Sequence, residues 1–429
     1  MAREYKDSGI EWIGRIPKEW KISAIKHLMT LYAGATPKSD KDELWDGSIP
    51  WVTPADYKTE DVYVSMGRRN ISVAGLSSCT TTLLPIDSII FSKRAPIGLV
   101  VLNNVPLCTN QGCIGCVPYK NKANSKYYYY VLSVFTEQFE LYGSGTTFKE
   151  ISANNFANFI VSVPPLPEQQ RIADYLDKKC GEIDELIALQ EQMIAQLTDY
   201  KQSVITEAVT KGLNPDAELV PSGIDWIGDV PKGWKVTNIS KIAQTNSGST
   251  PSNISNDNNS NIVWVRTTDI HDDEVFSSSN MLNENEFKSA SCPMLEPGTC
   301  LVAMYGGAGT IGKCGILKVK ATINQALCSI EVKGSCFNYY LFYVLRAFRR
   351  VWMRFAVGTR KDPNINQEIV KKMHIPLPPL SEQQSIATYL DIKCSEIDSL
   401  IAIKQQKIET LKDYKKSVIY EAVTGKMTV

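Results

Sequence analysis

PPLPEQQRIADYLDKKCGEIDELIALQEQMIAQLTDYKQSVITEAVT, residues 164–210, returns as PPLSEQQSIATYLDIKCSEIDSLIAIKQQKIETLKDYKKSVIYEAVT, residues 378–424. About 32 of the 47 positions are identical. In both copies a proline pair precedes a long stretch that has no proline after Pro167 in the first copy and none at all in the second. Pro164, Pro165 and Pro167 place the start of a helix near Glu168, and Gly212 with Pro215 supplies a stop. Apolar residues recur at steps of three and four: Ile183, Ile187, Ile194, Leu197, Val204 and Ala208. The second copy repeats them at Ile397, Ile401, Ile408, Leu411, Val418 and Ala422. This is the seam of a coiled coil. At 1.5 Å per residue, about 44 residues make an unbroken helix of roughly 65 Å. Such a helix needs a partner for its seam, and the other copy supplies one.

The repeat extends outward from these helices. SGIEWIG at 8–14 returns as SGIDWIG at 222–228, displaced by the same 214 residues. Trp12 and Trp20 recur as Trp226 and Trp234, spaced to clamp a lobe to its helix by burial. Between each opening segment and each helix lies a divergent region, 30–163 and 244–377. Runs such as SIIFSK and NIVWVR read as strands. A helical piece follows in each: YYYYVLSVFTEQF from Tyr127, and YLFYVLRAFRRVWMRF at 340–355. The expected architecture is α+β: two mixed α/β lobes joined by two long antiparallel coiled-coil helices, with an internal pseudo-twofold repeat. Its parts are a first lobe at 1–163, a helix at 164–213, a second lobe at 214–377 and a helix at 378–429. A dumbbell with a rigid spacer is the expected form.

Composition narrows the class. The chain has 429 residues, 43% hydrophobic and 21% charged, as in an ordinary globular protein large enough for two or three cores. No run of 18 apolar residues suggests a membrane span. MAREYKDSGIEW lacks the apolar core of a signal peptide. The eleven cysteines therefore read as reduced thiols, and the expected location is the cytoplasm. Lysine plus arginine equals aspartate plus glutamate at 46 each, which rules out a globally basic nucleic-acid binder but not a local basic face.

Catalytic signatures fail on inspection. GAGTIGKC at 307–314 fits the phosphate-loop spacing but ends in Cys314 where a magnesium-binding Ser or Thr is required. A glycine-rich turn between strands is the simpler reading. CIGC at 113–116 has no second pair at zinc spacing. His27, His271 and His374 lie near no nucleophile motif. No catalytic residue and no metal ligand is assigned.

Two variable lobes, each closed by PPL[PS]EQQ and a helix ending SVIxEAVT, resemble the specificity subunit of Type I restriction–modification systems. Paired lobe signatures extend the resemblance along nearly the whole chain: GATP at 34–37 with GSTP at 248–251, PIG at 96–98 with TIG at 310–312, and TNQ at 109–111 with INQ at 323–325. SGTTFKEIS at 144–152 belongs to the same pattern. The resemblance implies that each lobe is a target-recognition domain reading one half of a bipartite, asymmetric site on double-stranded DNA through the major groove. It implies that the helices set the gap between half-sites and dock modification subunits, two of them by symmetry. Restriction subunits complete the assembly. It further implies that this chain is non-catalytic, and that S-adenosylmethionine, ATP and magnesium belong to the partner subunits of a site-specific endonuclease and adenine methyltransferase complex.

The internal comparison ranks DNA-contact candidates. Asn110 and Gln111 match Asn324 and Gln325; lobes that read different sequences should not share base readers, so framework bonding weighs against contact there. Divergent polar positions are better readers: Lys93, Arg94, Thr146, Thr147, Phe148 and Lys149 in the first lobe, and Arg266, Tyr305, Arg360 and Lys361 in the second. Arg346, Arg349, Arg350 and Arg354 recur at helical spacing and read as a basic stripe or a solvated face. Tyr127 to Tyr130 read as core, with about half of them buried. Three other readings stay open on sequence alone: a stand-alone nuclease or methyltransferase, a coiled-coil protein-binding adaptor, and the recognition subunit of a methylation-only assembly.

Overall fold

The computed structural model describes residues 3–94, 96–144, 149–251, 260–290, 292–307, 309–356 and 363–429. They form two compact units: Met1–Glu191 with Gln406–Val429, and Gln192–Gln405. The units are built from the same parts in the same order. Both long helices contribute to both units, so each helix divides near its middle rather than at a lobe boundary.

The central strands Ile89–Ser92, Val100–Asn103, Cys300–Ala303 and Cys314–Leu317 are buried along their whole length and run without alternation, as in sheets covered on both faces. The first unit has a five-stranded sheet in the order Met29–Ala33, Cys113–Pro118, Ile89–Ser92, Val100–Asn103, Tyr63–Val64. The second repeats it as Ala243–Ser247, Leu327–Val332, Cys300–Ala303, Cys314–Leu317, Asp273–Val275. The last pair in each is parallel and the others antiparallel. A three-stranded sheet accompanies it: Cys108–Thr109, Trp45–Val52 and Arg69–Ile71, matched by Ala321–Ile323, Ile262–Val265 and Met281–Leu282. A two-stranded ribbon carries the chain into each long helix, Ile160–Val163 against Lys21–Ala24 and His374–Leu377 against Lys235–Asn238.

The long helices run Leu166–Lys211 and Leu380–Val423. The first begins two residues earlier than the proline spacing predicts. Pro167 sits inside its first turn, where the missing N–H has no intrahelical acceptor to lose. The helix ends at Gly212, which adopts φ +75° and donates its N–H to the Ala208 carbonyl at 3.1 Å.

Within each unit the two helices pair antiparallel. In the first, Ile172, Ala173, Leu176 and Cys180 share an apolar core with Val418, Ile419, Ala422 and Val423, and Lys415 pairs with Asp184 at 2.7 Å. In the second, Ile205, Ala208 and Val209 meet Ile386, Ala387, Leu390 and Cys394, and Lys201 pairs with Asp398 at 2.6 Å. These two ion pairs are one pair repeated, since Asp184 and Asp398, like Lys201 and Lys415, are 214 residues apart. Of the seam positions, Ile183, Ala208, Ile397, Ile408, Val418 and Ala422 are buried, while Ile187, Ile194, Leu197, Val204, Ile401 and Leu411 are half-buried.

The helical piece of the first lobe breaks in two, Ser125–Val134 and Thr136–Leu141, the first capped by the Asn124 side chain. All four tyrosines are buried, not half of them. The helix packs against the sheet and the long helices, so the tyrosines are covered while Ser125, Lys126, Ser133 and Val134 stay half-exposed. The hydroxyls find partners there: Tyr127 donates to the Val423 carbonyl at 3.0 Å and Tyr130 to Asp177 at 2.8 Å. In the second lobe Tyr340 donates to the Val209 carbonyl at 3.2 Å and Tyr343 to Asp391 at 2.5 Å.

Among the described residues no helix is long and apolar enough to cross a membrane.

Candidate DNA interface

Each lobe assembles the same frame at one edge. In the first, the strand Trp45–Val52 ends beside the TNQ turn, where Asn110 N–H donates to the Val52 carbonyl at 3.0 Å. The Asn110 side chain folds back and accepts from Gly112 N–H at 2.9 Å. The Trp51 indole donates to the Ala35 carbonyl at 3.0 Å, which ties the GATP loop to the same edge. Gly34 packs flat against this turn: a Cβ there would lie 2.0 Å from the Asn110 carbonyl oxygen, so no other residue fits without moving the backbone. The Thr36 hydroxyl donates to the exposed Gln111 carboxamide oxygen.

The second lobe reproduces every member. Asn324 N–H donates to Val265 at 3.0 Å, and its side chain accepts from Ala326 N–H at 3.2 Å. Trp264 donates to Ser249 at 3.3 Å, and Thr250 donates to Gln325. A Cβ on Gly248 would lie 1.9 Å from the Ile323 carbonyl oxygen. The Asn residues thus hold a turn, and the Gln residues stand exposed, each with its side-chain oxygen against a Thr hydroxyl.

On this shared frame the lobes place different side chains. In the first, Lys93 and Arg94 follow the strand Ile89–Ser92. Lys93 Nζ lies 2.7 Å from Glu150, Arg94 Nε lies 3.5 Å from the other oxygen of Glu150, and Arg94 Nη2 donates to the Gln111 carbonyl at 3.4 Å. Lys149 is exposed beside them. The backbone pairing that puts Lys93 N–H on the Gly112 carbonyl puts Met304 N–H on Ala326 in the second lobe. Met304 and the exposed Tyr305 therefore occupy the positions of Lys93 and Arg94. Arg266 stands at the end of the strand Ile262–Val265, its guanidinium over the Trp264 ring at 5.8 Å. Thr146, Thr147, Phe148, Arg360 and Lys361 lie outside the described residues.

Of the arginine row, Arg349 binds Asp272 and the Gly309 carbonyl, and Arg346 lies over the rings of Phe342 and Tyr343 at 5.4 and 5.5 Å. Arg350 and Arg354 are exposed. The row is thus split between the core edge and solvent.

Glu150, Trp51 and Trp264 are members that the sequence does not announce. The two tryptophans are 213 residues apart, not 214, so an in-register comparison sets Trp51 against Val265 and misses the match. Glu150 faces Asn364 in the repeat, and the divergence hides its role as holder of two cations. The clamp at 12–20 is clearer: Trp20 and Trp234 each donate to a carboxylate at the start of a long helix, Glu168 and Glu382, at 3.0 Å.

The tempting motifs are structural. The glycine-rich stretch before Cys314 joins the strands Cys300–Ala303 and Cys314–Leu317, with Gly306, Gly307 and Gly312 at positive φ. Cys113 and Cys116 are fully buried in one strand, and burial pushes the Cys113 thiol up to about 12. Among the described residues no three His, Cys, Asp or Glu side chains gather as a metal site.

Comparison with known proteins agrees with this duplicated design. Over 439 aligned residues the chain is 28% identical to the Type I restriction enzyme MjaIX specificity subunit of Methanocaldococcus jannaschii, covering 99% of this chain and 97% of that one. The EcoBI specificity subunit of Escherichia coli is 22% identical over 339 residues, 75% of this chain and 70% of its own. A chain solved in work on complex assembly and conformational transition of the type I R-M system shares the fold with a TM-score of 0.73 at 16% identity, covering 96% of this chain and 99% of that chain. The HsdS subunit from Thermoanaerobacter tengcongensis does so with a TM-score of 0.52, also at 16% identity, covering 96% and 98%. Residues 17–199 and again 231–413 match the model of the Type I restriction modification DNA specificity domain, and the chain belongs to that family.

Proposed function

We propose that this chain is the DNA sequence-recognition subunit of a Type I restriction–modification complex. Each lobe reads one half of a bipartite, asymmetric site in the major groove, where all four base pairs differ. The paired helices set the gap between the half-sites and dock two modification subunits. S-adenosylmethionine, ATP and magnesium are used by the modification and restriction subunits, and this chain supplies recognition without catalysis. The cytoplasm is where it meets them.

One observation carries the reading. The same frame of Gly, Thr, Trp, Asn and Gln is built twice, and the side chains mounted on it differ. That is the economy of two readers that share a way of sitting on DNA and differ in what they read. Formal neutrality fits a subunit whose partners supply much of the phosphate grip.

The test is single-molecule sequencing of DNA from cells that co-express this chain with its modification subunit. The expected result is adenine methylation in one bipartite motif with a fixed gap, lost when this chain is omitted. Methylation that persists without this chain, or no motif from an assembled complex, overturns the reading.

A further inference from the structure

Among the described residues the Arg266 guanidinium has no ion-pair or hydrogen-bond partner, and only the Trp264 ring lies against it. Its Nε is buried with nothing to donate to. Burying part of a cation unpaired is costly, and natural chains rarely leave it so without a ligand. The nearest carboxylate in sequence does not pair with the guanidinium, and its Oδ2 is turned to other donors. Asp269 accepts from the Arg266 backbone N–H at 2.8 Å and from the Ser278 hydroxyl at 2.9 Å. The Trp264 ring beneath the guanidinium is itself tied to the GSTP loop, so the fork is presented from a fixed platform. The Arg94 Nε in the other lobe is likewise buried without a hydrogen bond, but that guanidinium has an ion pair with Glu150 at 3.5 Å and donates from Nη2 to the Gln111 carbonyl at 3.4 Å, and Arg266 has neither.

We propose that Arg266 is a specificity-determining residue of the second lobe, its guanidinium taking the O6 and N7 acceptors of a guanine in that lobe's half-site. This rests on the recognition role proposed above. A phosphate oxygen is the competing acceptor, and the internal repeat argues against it. Both lobes must hold the same kind of backbone, so a phosphate contact belongs on the shared frame. The position of Arg266 is not shared. The same capped turn in the first lobe has Thr53, whose N–H and hydroxyl both bond Asp56, at 2.8 and 2.7 Å. The turn is kept and the side chain that leaves it is changed, as expected of a base reader. A planar fork of donors matches the guanine edge two to two, and no other base edge offers that pair of acceptors.

The experiment is competitive binding of the complex of this chain with its modification subunit to duplexes randomised across both half-sites, for wild type, Arg266→Ala and Arg266→Gln. Glutamine keeps a polar, uncharged side chain that is shorter than arginine, and guards against loss of the fold. The expected result is that wild type selects a G·C pair at one position of one half-site. Both variants should lose roughly tenfold to a hundredfold of that discrimination, with the other half-site and the gap unchanged. A uniform loss of affinity across all duplexes identifies a phosphate contact and overturns the assignment. So does discrimination that survives in both variants. A wild-type complex that selects no sequence removes the recognition role itself, and the assignment with it.

Discussion

Gln383 shows how much a single buried amide holds. It is fully buried; its oxygen accepts from Phe337 N–H at 2.8 Å, and its nitrogen donates to the carbonyls of Ser335 and Pro378 at 3.0 and 2.8 Å. Gln169 does the same in the first unit, with Asn124, Lys122 and Pro164. The EQQ of each repeat is thereby explained: Glu for the tryptophan clamp, and the first Gln for fastening lobe to helix. Gln383→Leu keeps the volume but strands one N–H and two carbonyls, each costing about 1–3 kcal/mol. A loss of about 3 kcal/mol or more is expected in denaturant unfolding of the second unit, and an unchanged midpoint would contradict this account. The thiols give a pH prediction. Burial pushes Cys108 and Cys180 up to about 11, and Cys113, Cys328 and Cys336 up to about 12. In the unfolded chain they lose protons near pH 8.5. Above that pH the folded chain binds more protons than the unfolded one, so stability falls as pH rises from about 8.5 towards 11, by up to about 2 kcal/mol per thiol at pH 10. Unfolding midpoints at pH 7.5 and pH 10 check the sign. At pH 7.5, alkylation of the native chain should mark the half-exposed Cys79 and spare the ten buried cysteines.

The long helices were the most legible elements, because two copies with about 32 identities in 47 positions display their seam twice. The five-stranded sheets were legible only as apolar runs. Their shared topology emerges from pairing across distant segments, which no local pattern carries. The candidate interface is legible in part: Arg94 and Arg266 stand out as divergent positions and Gln111 as shared framework, while Glu150 and the two tryptophans are hidden by divergence and by a one-residue shift. The helix pairing also constrains how the spacing between half-sites can be changed. Lys415–Asp184 and Lys201–Asp398 belong to different units, and the stretches between them, 185–200 and 399–414, contain the boundary. A heptad inserted into the first helix alone would throw its seam out of register with the second. Matched heptads after Glu191 and after Gln405 preserve both ion pairs. That double insertion should lengthen the gap in the methylated motif while leaving both half-sites unchanged. The same gap as wild type, mapped by sequencing, would mean that the helices do not set it.

Independence of the two readers follows from how each unit closes on itself. Every bond of a lobe's frame is made inside its own unit, from the Trp51 and Trp264 ties to the two NQ turns. The lobes should therefore be exchangeable one at a time, provided the cut respects the ribbon that feeds the helix. Ile160–Val163 pairs with Lys21–Ala24 in register from Ile160–Ala24 to Val163–Lys21, and Ile25 N–H donates to the Phe159 carbonyl at 3.1 Å. A junction at 163 would separate these partners and leave a foreign strand against the native one. Replacing 30–158 by the matching lobe of another family member keeps Phe159 to Val163 beside their native partners, with Trp12 still donating to the Ile160 carbonyl. The chimera should methylate a motif in which one half-site is new and the other, with its gap, is that of the parent. If both half-sites change together, the lobes do not read independently, and the closure of each frame within its own unit has no bearing on recognition.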